Sequence, residues 1–177
     1  VDPSFTFVVG SVGASTINNG ITTSVASTYN TLPFGNLTAG TPKYAAHSLT
    51  VTTNANNGYT IYSEMETAMT GLYGDVINAF PAVWTVPTLW TQPTGSTPGT
   101  NTGWLGYNTA DADVSTGAYT AGKFGAMGTT DVAQVMRSTG PDDGTNAVAV
   151  TYAVEVNFYH PADIYTGQLS YTALPSY

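Results

Sequence analysis

The sequence predicts an all-β protein: an antiparallel β-sandwich of jelly-roll-like plan, with long irregular insertion loops and an overhanging N-terminal strand. Three observations carry that prediction. Val148, Val150, Tyr152, Val154, Val156 and Phe158 alternate with Ala149, Thr151, Ala153, Glu155 and Asn157, which is the period of a strand with one buried face. Asn/Gly clusters, at Asn18-Asn19-Gly20 and from Asn54 to Gly58, separate short runs rich in β-branched and aromatic residues, as hairpin turns do. No long segment carries the three-and-four spacing of an amphipathic helix, so sheet packed on sheet is the remaining way to bury a core.

Residues 4–9 alternate, with Phe5, Phe7 and Val9 on one face, and read as a strand. The Asn18-Asn19-Gly20 turn joins a short strand over 11–17 to another over 21–28, because Asn and Gly tolerate the positive φ of a tight hairpin. On this reading residues 1–9 form a donor-type strand without a local partner, and residues 10–177 form a single sandwich domain. Leu32 to Leu37 is a bend with apolar anchors, and Thr41-Pro42 marks a further turn. Residues 47–53 and 59–63 alternate on either side of the Asn54–Gly58 turn and make a hairpin. Residues 64–146 are loop-rich. Met65 to Met69 fits a helical turn that Gly71 and Gly74 stop. Pro81, Pro87, Pro93 and Pro98 then punctuate a Thr-rich stretch, and short strands are expected at 104–107 and 133–137. Beyond the long strand that begins at Val148, His160 to Asp163 turns the chain into a last strand with Tyr165, Leu169 and Tyr171 on one face.

Composition narrows the function. The 177 residues suit one domain and are enough to bury a core without staples. Cysteine is absent, so disulfides and thiol chemistry play no part. Charged residues make up 8% of the chain, against about 25% in an ordinary soluble domain. Lys43, Lys123 and Arg137 are its only lysines and arginines, set against eleven acids, for a net charge of −8. Three scattered cations cannot track a phosphate backbone or grip an anionic bilayer, which excludes nucleic acid and acidic lipid as partners. With 42% hydrophobic and 12% aromatic residues, the chain does not have the composition of a disordered one. No run of about 18 apolar residues exists to span a membrane as a helix. An opening at Val1-Asp2-Pro3 fits an exported chain after removal of a signal peptide, so an extracellular, cell-surface location is expected.

No constellation reads as a catalytic centre, and neither enzyme activity nor a cofactor is expected. His47 and His160 are the only histidines. No Gly-x-Ser-x-Gly elbow accompanies them, and their separation matches no zinc-site spacing. Asp111 and Asp113, and Asp142 and Asp143 with Asn146, offer calcium-type oxygens in Gly-rich loops. Asp and Asn are also ordinary turn formers, and no metal is assigned. Glu64 and Glu66 share a strand face but lie too close in sequence to flank a glycosidic bond. Trp84, Trp90 and Trp104 either stack on sugar rings or pin loops to the sandwich. Asn36-Leu37-Thr38 is the one glycosylation sequon. Lys43 and Lys123 lie outside any isopeptide signature and read as solvated.

Four local patterns resemble those of secreted prokaryotic β-sandwich surface proteins: Asp2 to Phe7, Thr53 to Thr60, Ser138 to Thr145, and Tyr165 to Pro175. The overall plan is similar to that of TasA-like filament subunits and archaeal bundling pili. The resemblance implies donor-strand assembly, in which an N-terminal strand inserts into the neighbouring subunit's sheet. The expected function is therefore that of a subunit of an extracellular homopolymer, with Phe5, Phe7 and Val9 at the subunit interface. A monomeric adhesin or carbohydrate-binding module, meeting glycans or cell surfaces through the Trp-bearing loops, is the alternative.

Overall fold

The computed structural model describes residues 4–177, and residues 1–3 lie outside the described part. In chain order the strands are β1 (Phe5–Ser11), β2 (Ile17–Asn18), β3 (Ile21–Thr22), β4 (Lys43–Thr53), β5 (Tyr59–Thr70), β6 (Val76–Ala79) and β7 (Thr88–Leu89). They continue as β8 (Gly103–Thr109), β9 (Lys123–Ala126), β10 (Ala133–Ser138), β11 (Asp142–Asp143), β12 (Val148–Val156) and β13 (Thr166–Pro175). One single-turn 3-10 segment, Val114–Gly117, is the only helical element among the described residues.

Eleven strands form one curled sheet, and β2–β3 make a separate two-stranded ribbon. One wall runs β1-β4-β12-β8, and the other is β13-β5-β10. Strand β6 ties the walls together, pairing antiparallel with the end of β5 and parallel with β8. That parallel pairing makes the sheet mixed. The other ladders among the described residues are antiparallel, as the alternation required.

The inward residues of the two walls meet in one core that includes Leu49, Val51, Ile61, Tyr107, Val150 and Tyr152. The outer face of the first wall is covered as well. Phe80, Trp104, Phe124 and Ala153 are buried there, and Tyr44 and Trp90 pack against them. The proline-punctuated stretch is thus an outer layer. It explains why β12 is buried on both faces from Val150 to Val156, where its alternation predicts one buried face. Such a layer offers apolar cover without regular hydrogen bonding, so it leaves little periodicity to read.

Three local expectations are corrected. Met65 to Met69 is not a helical turn: β5 runs straight through, with Met65 opposite Leu169 and Met69 opposite Ile77. The Asn18-Asn19-Gly20 turn forms, with Asn19 and Gly20 at positive φ, but its regular ladder is two residues long. Beyond it the arms stay bonded only irregularly, by the Ser15, Thr23 and Ser27 N–H groups to the Thr23, Thr16 and Val12 carbonyls, while Ser24 N–H turns away to the Tyr44 carbonyl of β4. Strand β12 ends at Val156, and Phe158 is exposed. Asn157 terminates the strand by donating its side-chain amide to the carbonyls of Pro93 and Gly95.

Candidate functional site

The N-terminal strand has a partner. Strand β1 pairs antiparallel with β4 of its own chain, from Phe5 opposite Thr53 to Ser11 opposite His47. The expected overhang is therefore corrected for residues 5–9. The 11–28 hairpin is too short to occupy the edge of β4, and β1 takes it. Phe5, Phe7 and Val9 point inward and are partly buried against the core. Phe5 meets Tyr59 edge-on at 6.3 Å and Phe7 meets Tyr171 at 6.0 Å. Thr6 and Val8 face solvent, Val8 at 52% exposure.

Strand β1 is an edge, bonded on one side only, and β13 is the edge of the opposite wall. The two edges are guarded unequally. Seven residues of β1 and ten of β13 contain no Lys, Arg, Asp or Glu, and the one proline, Pro175, closes β13. Sheet proteins that remain single usually blunt such edges with charges, prolines or bulges. Strand β13 carries irregular register near Gln168, whereas β1 pairs in unbroken register.

Beside these edges a cleft of about 550 Å3 opens between the walls. Its floor is apolar, with Leu32, Met65, Met69, Leu105 and Leu169, and among the described residues no charged side chain lines it. Its polar end is a chain of hydrogen bonds: Ser63 Oγ to Tyr152 Oη at 3.2 Å, Tyr152 Oη to Tyr171 Oη at 2.8 Å, and Tyr171 Oη to His47 Nδ1 at 2.9 Å. The proton order is set at one end. The Ser170 carbonyl can only accept, so Ser63 donates to it at 3.1 Å and must accept from Tyr152. Tyr152 in turn accepts from Tyr171, and Tyr171 accepts from His47 Nδ1–H. The network thus assigns the proton of neutral His47 to Nδ1. Nε2 is shielded from solvent and makes no hydrogen bond of good geometry among the described residues, in a residue only 4% exposed. Burial lowers the His47 pKa, and hydrogen bonding of the ring to the backbone of Thr28 and Thr31 opposes that shift without reversing it. Burial likewise pushes Tyr152 up to about 12 and Tyr171 well above the usual phenol range.

The remaining predicted residues are dispersed. Trp104 is buried, Trp90 stacks on Phe80 at 4.6 Å and meets Phe124 edge-on, and Trp84 packs on the core. All three rings are engaged in packing, Trp104 fully and Trp84 and Trp90 as half-buried residues. Trp90 Nε1–H also donates to Glu155 Oε2. Glu155 is fully buried, its other oxygen has no partner among the described residues, and burial raises its pKa. Nothing in the sequence marked this acid, because it occupies the polar phase of a strand expected to face water.

Asp111 accepts from the backbone N–H of Asp113 and of Arg137. Asp142 accepts from Tyr59 Oη and the Gly144 N–H, and Asp143 from Thr145. These are turn-forming roles, and among the described residues no group of three or more metal-ligating side chains gathers. His160 bonds Thr102 through Nδ1 at 2.8 Å. Glu64 is partly buried and Glu66 exposed on the outer face of β5. Asn36 is exposed, and Lys43 Nζ donates to the Phe34 carbonyl at 3.1 Å, tying down the 29–37 segment that borders the cleft. No helix among the described residues is long and apolar enough to cross a membrane.

Comparison with protein-family models, with curated proteins and with solved structures finds no match.

Proposed function

We propose that this protein is the structural subunit of an extracellular filament or pilus, and that it polymerises through β1. In the assembled form β1 leaves the edge of its own β4 and occupies the same edge of the neighbouring subunit. The observation that carries this reading is the unguarded, uncharged edge at β1. An edge that could pair with another chain, with no charged residue on the strand itself to oppose the pairing, favours strand addition. Exchange of an identical element between copies costs little, because the open and closed forms make the same contacts.

The energetics suit a switch between the two forms. Phe5, Phe7 and Val9 are partly buried, so detaching them costs about 3–5 kcal/mol of apolar burial. That is enough to hold β1 in place and small enough to be recovered in a neighbour. Beyond Ser11 the chain passes through Gly13 and Ser15, the latter at φ 59°, a turn able to serve as hinge. The resemblance of the Asp2–Phe7 pattern to donor-strand subunits points the same way. The test is electron microscopy of full-length protein beside a variant lacking residues 1–11. Filaments from the full chain and dispersed particles from the truncated one are expected, and a peptide of residues 1–11 should cap the truncated protein as a soluble unit. Filaments that form equally well without β1 would refute the proposal.

A role in adhesion has separate support at one end of the sandwich. Leu72, Tyr73, Phe158, Tyr159 and Ile164 are each at least 60% exposed. The two loops that carry them are joined by the Tyr73 N–H to Asp163 bond. An apolar cluster of this kind is a contact surface, and an adhesin function would place the target there rather than at the tryptophans.

A further inference from the structure

We infer that Asn36 carries a neutral N-linked glycan whose first sugars lie in the groove beside it, over the exposed Phe158 ring. The inference rests on the extracellular reading above, because the modification needs an exported chain. Within Asn36-Leu37-Thr38, Leu37 packs against the core, while Asn36 and Thr38 are both exposed. The amide and the hydroxyl that define an acceptor sequon are thus open to solvent together. The segment is held on both flanks, by Lys43 Nζ donating to the Phe34 carbonyl at 3.1 Å and by Gly40 N–H donating to the Val156 carbonyl at 2.8 Å. Asn36 is therefore presented from a fixed place.

That place is the rim of a groove of about 690 Å3, lined on one side by the 32–39 segment and on the other by residues of the β12–β13 turn. Phe158, 89% exposed, and Ile164, 70% exposed, belong to that lining. The electron-rich face of a phenyl ring attracts the C–H groups of a pyranose, and a glycan laid over it covers apolar surface that otherwise meets water. Charge selects the class of sugar. Among the described residues the groove has no Lys or Arg, and Asp163 is its one carboxylate, so acidic sugars are repelled. Asp163 accepts from the Tyr73 and Ile164 N–H groups, and about four acceptor sites on a carboxylate leave it capacity for sugar hydroxyls. Attachment at Asn36 makes occupancy intramolecular, so individually weak contacts suffice.

The co-reactant is a glycan linked to a polyprenyl phosphate or pyrophosphate. The sugar C1–oxygen bond to phosphate breaks, and the lipid phosphate leaves with the electron pair. Asn36 Nδ2 bonds to C1 and gives up one proton to solvent.

The experiment is peptide mapping by mass spectrometry of full-length protein from its native source, followed by NMR of the intact glycoprotein. The peptide containing Asn36 should carry a neutral glycan, which Thr38→Ala abolishes and Thr38→Ser, made in the same host, retains. Sugar C–H resonances should be shifted upfield by the Phe158 ring current and should return to ordinary values in Phe158→Ala. Both substituted residues are exposed, so the variants keep the fold. A wholly unmodified Asn36 would overturn the inference, and so would an acidic glycan or sugar resonances that Phe158→Ala leaves unmoved. Filaments built from protein unmodified at Asn36 would sink this inference and leave the filament reading standing. A glycan at Asn36 on protein that never assembles would do the reverse.

Discussion

Replacing Trp90 by Phe isolates the one hydrogen bond that the buried Glu155 side chain receives among the described residues. The phenyl ring keeps the stack on Phe80 and the edge contact to Phe124, so little packing is lost. The indole N–H, however, donates to a carboxyl group whose other oxygen already lacks a partner. A hydrogen bond to a charged group is worth about 1.5–3 kcal/mol, and one to a neutral group about 0.5–1.5 kcal/mol. Trp90→Phe should therefore cost about 1.5–3 kcal/mol above the raised Glu155 pKa, where the carboxyl is ionised, and about 0.5–1.5 kcal/mol below it, where the carboxyl is neutral. Burial raises the Glu155 pKa. The folded state thus holds that proton more tightly than the unfolded chain, and this group's contribution to stability is present at low pH and lost as pH rises through the raised value. Glu155→Gln should remove that pH dependence, and Trp90→Phe in its background should cost about the neutral amount at every pH. The assay is urea unfolding at several pH values for the four members of the cycle. A Trp90→Phe penalty that does not change across the accessible pH range, and is the same with Gln at position 155, would refute the account of Glu155.

Three further outcomes are expected. Burial lowers the His47 pKa below its unfolded value of about 6.5, so its contribution is intact above that pH and lost as pH falls through and below it. Unfolding across pH 5–8 should show this slope, and His47→Phe should reduce it. Chelators and added calcium should leave Tm unchanged, because the Asp111, Asp142 and Asp143 carboxylates already serve turns; a calcium-dependent rise would reveal a bound ion. Gly58 closes the β4–β5 turn at φ 76°, and an added Cβ would overlap the Ser138 carbonyl. Gly58→Ala should therefore cost about 2–5 kcal/mol in thermal or urea unfolding.

Strands with strong local alternation were legible in the sequence. Phe5, Phe7 and Val9, the His47–Thr53 run and the Val148–Val156 run all state their own inward face. The Asn and Gly turns at 18–20 and 54–58 also stand where expected, since their positive φ is a local demand. The features that could not be read depend on distant partners. Met65 to Met69 has as much helical as strand character until β13 and β6 flank it. The second buried face of β12 exists because Phe80 and Trp90, from the start and middle of a proline-rich stretch without periodicity, and Phe124 of β9 return to cover it. Whether β1 has a partner turned on how much of the β4 edge the 11–28 ribbon takes: it meets only Tyr44 and Ala46, through Ser24 and Ser27, and leaves His47 to Thr53 to β1. The cleft was hidden for a related reason: His47, Tyr152 and Tyr171 lie on three strands and look like ordinary core residues one at a time.

Because the chain lacks cysteine, a disulfide between β1 and β4 can report which subunit owns the strand. Val8 and Thr50 stand opposite each other on the outer face of that ladder, which makes Val8→Cys/Thr50→Cys a suitable pair. Oxidised in dilute solution, it should form an intramolecular bridge that locks β1 at home and blocks assembly. Oxidised after assembly, it should give a ladder of covalent multimers on a non-reducing gel, collapsing to a single band on reduction. Assembled material that yields only the intramolecular bridge would contradict exchange of β1 between subunits.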